Sequence, residues 1–207
     1  MPLYKNGARC LLYIHIPKTA GSSIHKFVAQ SSARIALHSR TRVGTHSVTP
    51  QHIHWDVLSR WIPRDFYDSS FTVVRNPYSR LASEYFWQLR LGTAKREVFK
   101  EWVKFYFGLY EKHAIAADNH IRPQVDFIGP ETAVFKLEDG VNVVLDHIAA
   151  NLGLKPIDVA PPRENSSEIQ MIDVDRNTLD AIYDFYRRDF DDFDYSRKDV
   201  PENFNVI

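Results

Sequence analysis

Apolar positions along this chain fall into short runs that alternate with helical spacings. Leu11 to Ile16, LLYIHI, is a nearly unbroken apolar run with the length and character of a buried strand, beginning at about Cys10. It leads into PKTAGSS, after which Ile24, Phe27 and Val28 take up the spacing of one face of a helix from Ser22 to about Gln30. The same strand–turn–helix order returns at Phe71 to Val74, followed by a helix from Pro77 to about Leu91. Asn76 suits the cap of that helix, and Pro77 suits its first position, where a missing N–H is no loss.

Between these units, Ala33 to Leu37 and Arg42 to Ser47 predict two short strands joined by the polar SRTR. Pro50 opens a predicted helix that runs to Trp61, with Ile53, Val57, Leu58 and Trp61 at apolar spacing. Arg96 to Tyr110 reads as an aromatic helix that packs into the core in preference to forming an acceptor-binding surface, and Thr132 to Leu137 as a strand. Asp139 to Asn151 reads as a helix stopped by Gly153. A last helix, about Asp175 to Phe190, places Leu179, Ile182, Tyr183, Tyr186 and Phe190 on one face, and the acidic DFDDFDY that ends it is expected to face solvent. Alternating strands and helices predict an α/β fold with a mostly parallel central sheet flanked by helices, in one domain over residues 1–207.

Both strand–turn–helix units carry anion chemistry. The loop and first-turn N–H groups of a helix lack intrahelical partners, and the helix dipole is positive there. In the first unit Lys18 adds a mobile cation, and Thr19, Ser22 and Ser23 add hydroxyls. This is not a Walker A loop, because the lysine precedes the glycine. In the second, Arg75 stands at the carboxyl end of a strand, where open α/β sheets bind ligands. Ser83 lies two helical turns beyond Asn76 and so returns to the same side.

The stretches IHIPKTAGSS and VVRNPYSRLASEY resemble the two nucleotide-binding signatures of sulfotransferases that use 3′-phosphoadenosine 5′-phosphosulfate (PAPS). They are most similar to the carbohydrate-modifying branch (chondroitin, dermatan and heparan enzymes) and its short bacterial relatives. The resemblance implies a P-loop-like fold and PAPS as co-substrate. It also implies that Pro17, Lys18, Thr19, Ala20, Gly21, Ser22 and Ser23 grip the 5′-phosphosulfate, with Lys18 on the bridging oxygen, while Arg75 and Ser83 grip the 3′-phosphate. A loop comparable to PPRENSS closes over the nucleotide in relatives, which makes Arg163, Asn165 and Ser166 further cofactor candidates. The acceptor implied is a glycan, glycolipid or other hydroxyl-bearing molecule.

A hydroxyl acceptor calls for a proton acceptor. His46, in RVGTHS, is the first candidate, because several relatives place a catalytic histidine in such a setting after their second strand. Glu138, in FKLEDG, is its rival. DNHIRPQVDFI resembles a further family element in which His120 and Arg122 either face the acceptor or make buried structural hydrogen bonds.

Composition narrows the setting. The 207 residues are 44% hydrophobic and 25% charged with a formal net charge of zero, so nothing draws the whole chain to nucleic acid or an anionic membrane. Cys10 is the single cysteine, which fits a reducing compartment. No apolar run approaches the ~18 residues that span a membrane, and no signal-peptide pattern opens the chain, so the expected location is cytoplasmic. No HExxH, CxxC or EF-hand loop calls for a metal. Two rival functions are a small metabolite kinase, which would carry a lysine after the loop glycine, and a degenerate nucleotide-binding module without turnover.

Overall fold

The structure is a computed structural model that describes residues 1–39, 48–93, 98–154 and 170–207. A five-stranded sheet is built from β1 (Leu3–Asn6), β2 (Arg9–Ile14), β3 (Arg34–Ala36), β4 (Ser69–Val74) and β5 (Thr132–Lys136), in the order β3-β1-β2-β4-β5. β2, β4 and β5 pair in parallel, while β1 runs against both of its neighbours, so four of the five strands point one way. The sheet is therefore mixed but mostly parallel. β1 was not foreseen. It closes a hairpin on β2 through Gly7 and Ala8, with Gly7 at φ 59 in the first central position, where a positive φ suits the strand twist.

β2 shows why its sequence is apolar on both faces. Leu11 and Tyr13 pack with Phe71 and Val73 of β4 against α1 (Gly21–Ala29) and α5 (Val141–Leu152), burying Ile24, Val28, Val144 and Ile148. Leu12 and Ile14 face the other way and pack with Val74, Ile53, Leu58 and Phe127. A sheet covered on both sides has no polar face to show. A third, aromatic cluster joins α3 (Pro77–Leu91), α4 (Phe99–Lys112), α6 (Arg176–Phe185) and α7 (Arg187–Asp192) through Tyr78, Tyr85, Phe99, Trp102, Tyr186 and Phe190. The short parallel pair β6 (Ile172–Val174) and β7 (Phe204–Val206) closes that cluster. In the aromatic stretch after Val98, Phe99, Trp102, Val103 and Phe107 pack into the core, whereas Phe105 is exposed and Tyr106 lines the main cavity.

Three expectations change. The helix predicted from Pro50 to Trp61 is a 3₁₀ turn, Pro50–His52, followed by α2 (Trp55–Trp61), because Ile53 and His54 take extended backbone. Trp61 is consequently 59% exposed rather than on a buried face. The last helix starts where expected, capped by Asp175, whose carboxylate accepts the Thr178 N–H, but breaks at Tyr186 (φ -103, ψ 20) into α6 and α7. That break turns part of the acidic segment inward. Asp189 is fully buried and its oxygens accept the backbone N–H groups of Gln124 (2.9 Å) and Val125 (3.0 Å). The strand predicted over Arg42 to Ser47 lies outside the described residues.

Burial pushes the Asp189 carboxyl up to about 6, with Arg80 and the two N–H donors opposing it. A carboxyl raised in the folded state adds stability below its unfolded value, about 4, and loses that contribution as pH rises through about 6. Asp189→Asn is expected to flatten this slope in denaturant titrations at pH 4 and pH 7. Asp189→Ala should cost about 1–3 kcal/mol at both, because two N–H groups lose their acceptors.

Among the described residues no helix is long and apolar enough to cross a membrane.

Candidate active site

The loop after β2 is held in a conformation that its residues do not favour. Lys18 (φ 70) and Ala20 (φ 65) both sit in the left-handed region, which costs non-glycine residues strain and often marks ligand sites. Thr19 is fully buried between them, and its hydroxyl donates to the Ile16 carbonyl at 2.8 Å. Its expected contribution as a free hydroxyl donor is therefore withdrawn: the hydroxyl ties down the loop. The Ala20 carbonyl accepts the Ser23 and Ile24 N–H groups and so starts α1. The N–H groups of Gly21 and Ser22 find no acceptor among the described residues, as the first turn of a helix requires.

Gly21 is there because nothing larger fits. A Cβ at that position would lie 1.9 Å from His15 Nε2. Gly21→Ala is expected to cost about 1–3 kcal/mol by overpacking and to weaken anion binding at the loop together with it, seen as parallel losses in thermal midpoint and in ligand calorimetry.

The second unit is built from more distant parts. Asn76 caps α3 by accepting the Ser79 N–H at 3.2 Å, and its amide donates to the Asp199 carbonyl at 3.0 Å. Gln124 locks the Arg75 backbone from both sides: its Oε1 accepts the Arg75 N–H (2.9 Å) and its Nε2 donates to the Arg75 carbonyl (2.8 Å). Arg80, in the same RNPYSR stretch, is 1% exposed and donates to the carbonyls of His120 (3.1 Å) and Arg122 (2.8 Å), so it is a staple rather than a ligand group.

The two units meet. Arg75 Nη1 donates to the Lys18 carbonyl at 3.4 Å, and Pro17, Lys18, Ala20 to Ser23, Arg75 and Ser83 line one cavity of about 1090 Å³. Burial lowers the Lys18 ammonium to about 8; Glu84 opposes the shift, and Arg90 and Arg75 add to it. Burial also pulls the Arg75 guanidinium below its ordinary value, against Glu138 and Tyr195. Two cations kept partly dehydrated at one end of a cavity are poised to gain from a bound polyanion.

The same cavity is lined by two carboxylate–histidine pairs. His120 Nδ1 meets Glu84 Oε2 at 2.6 Å, and Gln88 donates to the other oxygen of Glu84 at 2.7 Å while accepting from Trp102 Nε1 at 3.1 Å. Burial alone would raise the Glu84 carboxyl, but His120, Gln88 and Lys18 outweigh it and hold the group below its ordinary value. His52 Nδ1 meets Asp118 Oδ2 at 2.7 Å, and Thr49 donates to both oxygens of Asp118. Burial brings the His52 imidazole down to about 4 although Asp118 pulls the other way, so the pair is neutral histidine beside carboxylate. Trp87 links the two groups, with Lys18 Nζ 5.1 Å from its ring centre and His120 stacked at 5.3 Å.

Other candidates separate. His46, Arg163, Asn165 and Ser166 lie outside the described residues. Glu138 has both oxygens engaged, accepting the Asn76 N–H (2.8 Å) and the Tyr195 hydroxyl (2.9 Å), and does not line the cavity. Arg122 is structural, spending its guanidinium on Asn119, Ala114 and Asp126. Glu84 and Gln124 were missed as site residues. The Pro-Gln pair in the resembling element was the available signal for Gln124, whereas the pairing of Glu84 with His120 had none.

No curated protein and no solved structure matches the chain. A family model does, over residues 5–196, and its description is the sulfotransferase family. That span takes in both anion-binding units, both histidine pairs and the helices that hold them, and the chain belongs to the sulfotransferase family of enzymes.

Proposed function

We propose that the enzyme takes a sulfuryl group from PAPS and delivers it to a hydroxyl of a glycan or glycolipid, as a short, bacterial-type member of the carbohydrate-modifying branch with a P-loop-like fold. The observation that carries this reading is the contact between Arg75 and the Lys18 carbonyl across 57 residues of sequence, which joins two anion sites in one cavity. PAPS carries anionic groups at both ends of its ribose and so suits paired sites. The single cysteine, Cys10, supports a reducing, cytoplasmic setting, and residues 1–207 read as one domain.

When bound, PAPS supplies an activated sulfuryl group whose transfer leaves charge on a phosphate oxygen. Lys18 and the N–H groups of Gly21 and Ser22, lining the cavity, would offset charge at the 5′ end, and Arg75 with Ser83 would hold the 3′-phosphate. Among the described residues His120 is the best-placed proton acceptor. It lines the cavity, and Glu84 on Nδ1 fixes the tautomer and leaves Nε2 to receive a proton from the acceptor hydroxyl. Phe86, Trp87 and Tyr106 line the same cavity and offer the flat apolar surface on which a sugar ring packs.

Calorimetry tests the donor. Tight binding of 3′-phosphoadenosine 5′-phosphate with little response to magnesium-ATP is expected; the reverse result would replace this reading with the kinase. Arg75→Ala should weaken the bisphosphate by about 10- to 100-fold, from about 1.5–3 kcal/mol for a charge-assisted contact, and 5′-AMP far less. Ser83→Ala should act in the same direction but more weakly. Equal weakening of both nucleotides in Arg75→Ala would make the arginine structural. A screen of glycans, glycolipids and phenols with labelled PAPS identifies the acceptor.

A further inference from the structure

We propose that His52, Asp118 and His120 form a binding site for a divalent ion of the zinc class, and that the ion inhibits the enzyme. Their ligand atoms all lie within 4.8 Å of one another, close enough for one ion to draw them in. The rings of His52 and His120 stand 4.9 Å apart and nearly perpendicular. His120 has its Nδ1 on Glu84, so the remaining Nε2 is a ligand atom already oriented by a carboxylate, the arrangement usual behind metal-binding histidines. Asp118 is fixed by Thr49 through its backbone N–H and its hydroxyl, so the carboxylate enters the site without a search of rotamers.

Two buried polar atoms on the same cavity wall, His15 Nδ1 and Gln51 Oε1, have no hydrogen-bond partner among the described residues, and the His15 ring lies 4.9 Å from that of His52. A hydrated ion beside them would bring polar groups into reach of these atoms. Two imidazoles and one carboxylate select zinc, cobalt or copper over magnesium or calcium, which favour oxygen. Binding engages the lone pair of His120 that would receive the acceptor proton. The inhibitory half of the proposal therefore rests on the assignment of His120 above; metal binding itself does not.

Titration of the metal-free protein with cobalt(II) alone is expected to give one equivalent of uptake with visible ligand-field bands, reversed by zinc(II). His52→Ala should weaken uptake by at least about 100-fold and Glu84→Gln by about 10- to 100-fold, the usual effect of losing an outer carboxylate. His25→Ala, in the stacked pair of His25 and His38 where His38 lines the same cavity, should leave uptake unchanged, because neither histidine is among the three ligands. Asp118→Asn serves as a second ligand variant of the same shape should His52→Ala fold poorly. Absence of uptake by the wild-type protein would overturn the proposal, as would uptake that survives His52→Ala and Asp118→Asn or disappears in His25→Ala. Stoichiometric zinc with undiminished sulfate transfer would leave the site standing but overturn the inhibition and, with it, the role given to His120.

Discussion

Lys18→Ala is expected to lower turnover by about 10²–10³-fold while the product nucleotide still binds within about tenfold of wild type. Removing a donor aimed at charge that develops only during reaction costs the chemical step far more than the ground state. Lys18 fits that role because its ammonium is partly dehydrated and stands over Trp87, with no salt bridge among the described residues, leaving its charge to act on the ligand. The protonated form is the working form, and burial places its loss near pH 8. Activity under kcat/KM conditions should therefore fall as pH rises through about 8. A bound anion favours the ammonium, so the same limb should move to higher pH in kcat. Lys18→Arg, which keeps its charge at any of these pH values, should remove the alkaline limb while retaining part of the rate. Near-normal turnover in Lys18→Ala would show that the loop N–H groups suffice.

His120→Ala is expected to cost about 10²–10⁴-fold in turnover, the range of a general base, with nucleotide affinity preserved. Glu84→Gln separates orientation from proton acceptance. Glutamine keeps a group beside Nδ1 but no longer demands the tautomer that leaves Nε2 free, so kcat should fall with little change in KM. His46→Ala is the comparison that decides between the two histidines. If it lowers turnover by the general-base range with nucleotide affinity preserved and His120→Ala does not, the proton goes to His46 and the Glu84 pair is architectural.

Local chemistry made much of this protein legible. The two strand–turn–helix units, the Asn76 cap, the Asp175 cap and the Gly153 stop (φ 61) all follow from residues within one or two turns of each other. The helix expected at Pro50 failed because apolar spacing at Ile53, Val57 and Leu58 is met equally well by a 3₁₀ turn, two extended residues and a short helix. Tyr186 broke the last helix for a similar reason: its ring is buried against α4 and its hydroxyl donates to the Ile121 carbonyl at 2.7 Å, a demand set by tertiary contact. The histidine pairs were hidden because each joins residues far apart, Glu84 to His120 across 36 positions and His52 to Asp118 across 66. Composition shows nine histidines and gives no means of choosing among them without the fold.

The hold that distant segments have on Arg75 bears on how the enzyme is made. The Arg75 backbone is clamped by Gln124, which hangs on Asp189, and the neighbouring Asn76 is tied to the carbonyl of Asp199, 123 positions away. During synthesis the turn that starts α1 can close early, because its Ala20 contacts are local, although α1 is buried only once β4 and α5 follow. The arginine end cannot be completed until the segment through Asp199 is out. A nascent chain should thus hold a single anion weakly until α7 and Asp199 emerge, and gain its grip on a two-ended nucleotide abruptly when they dock.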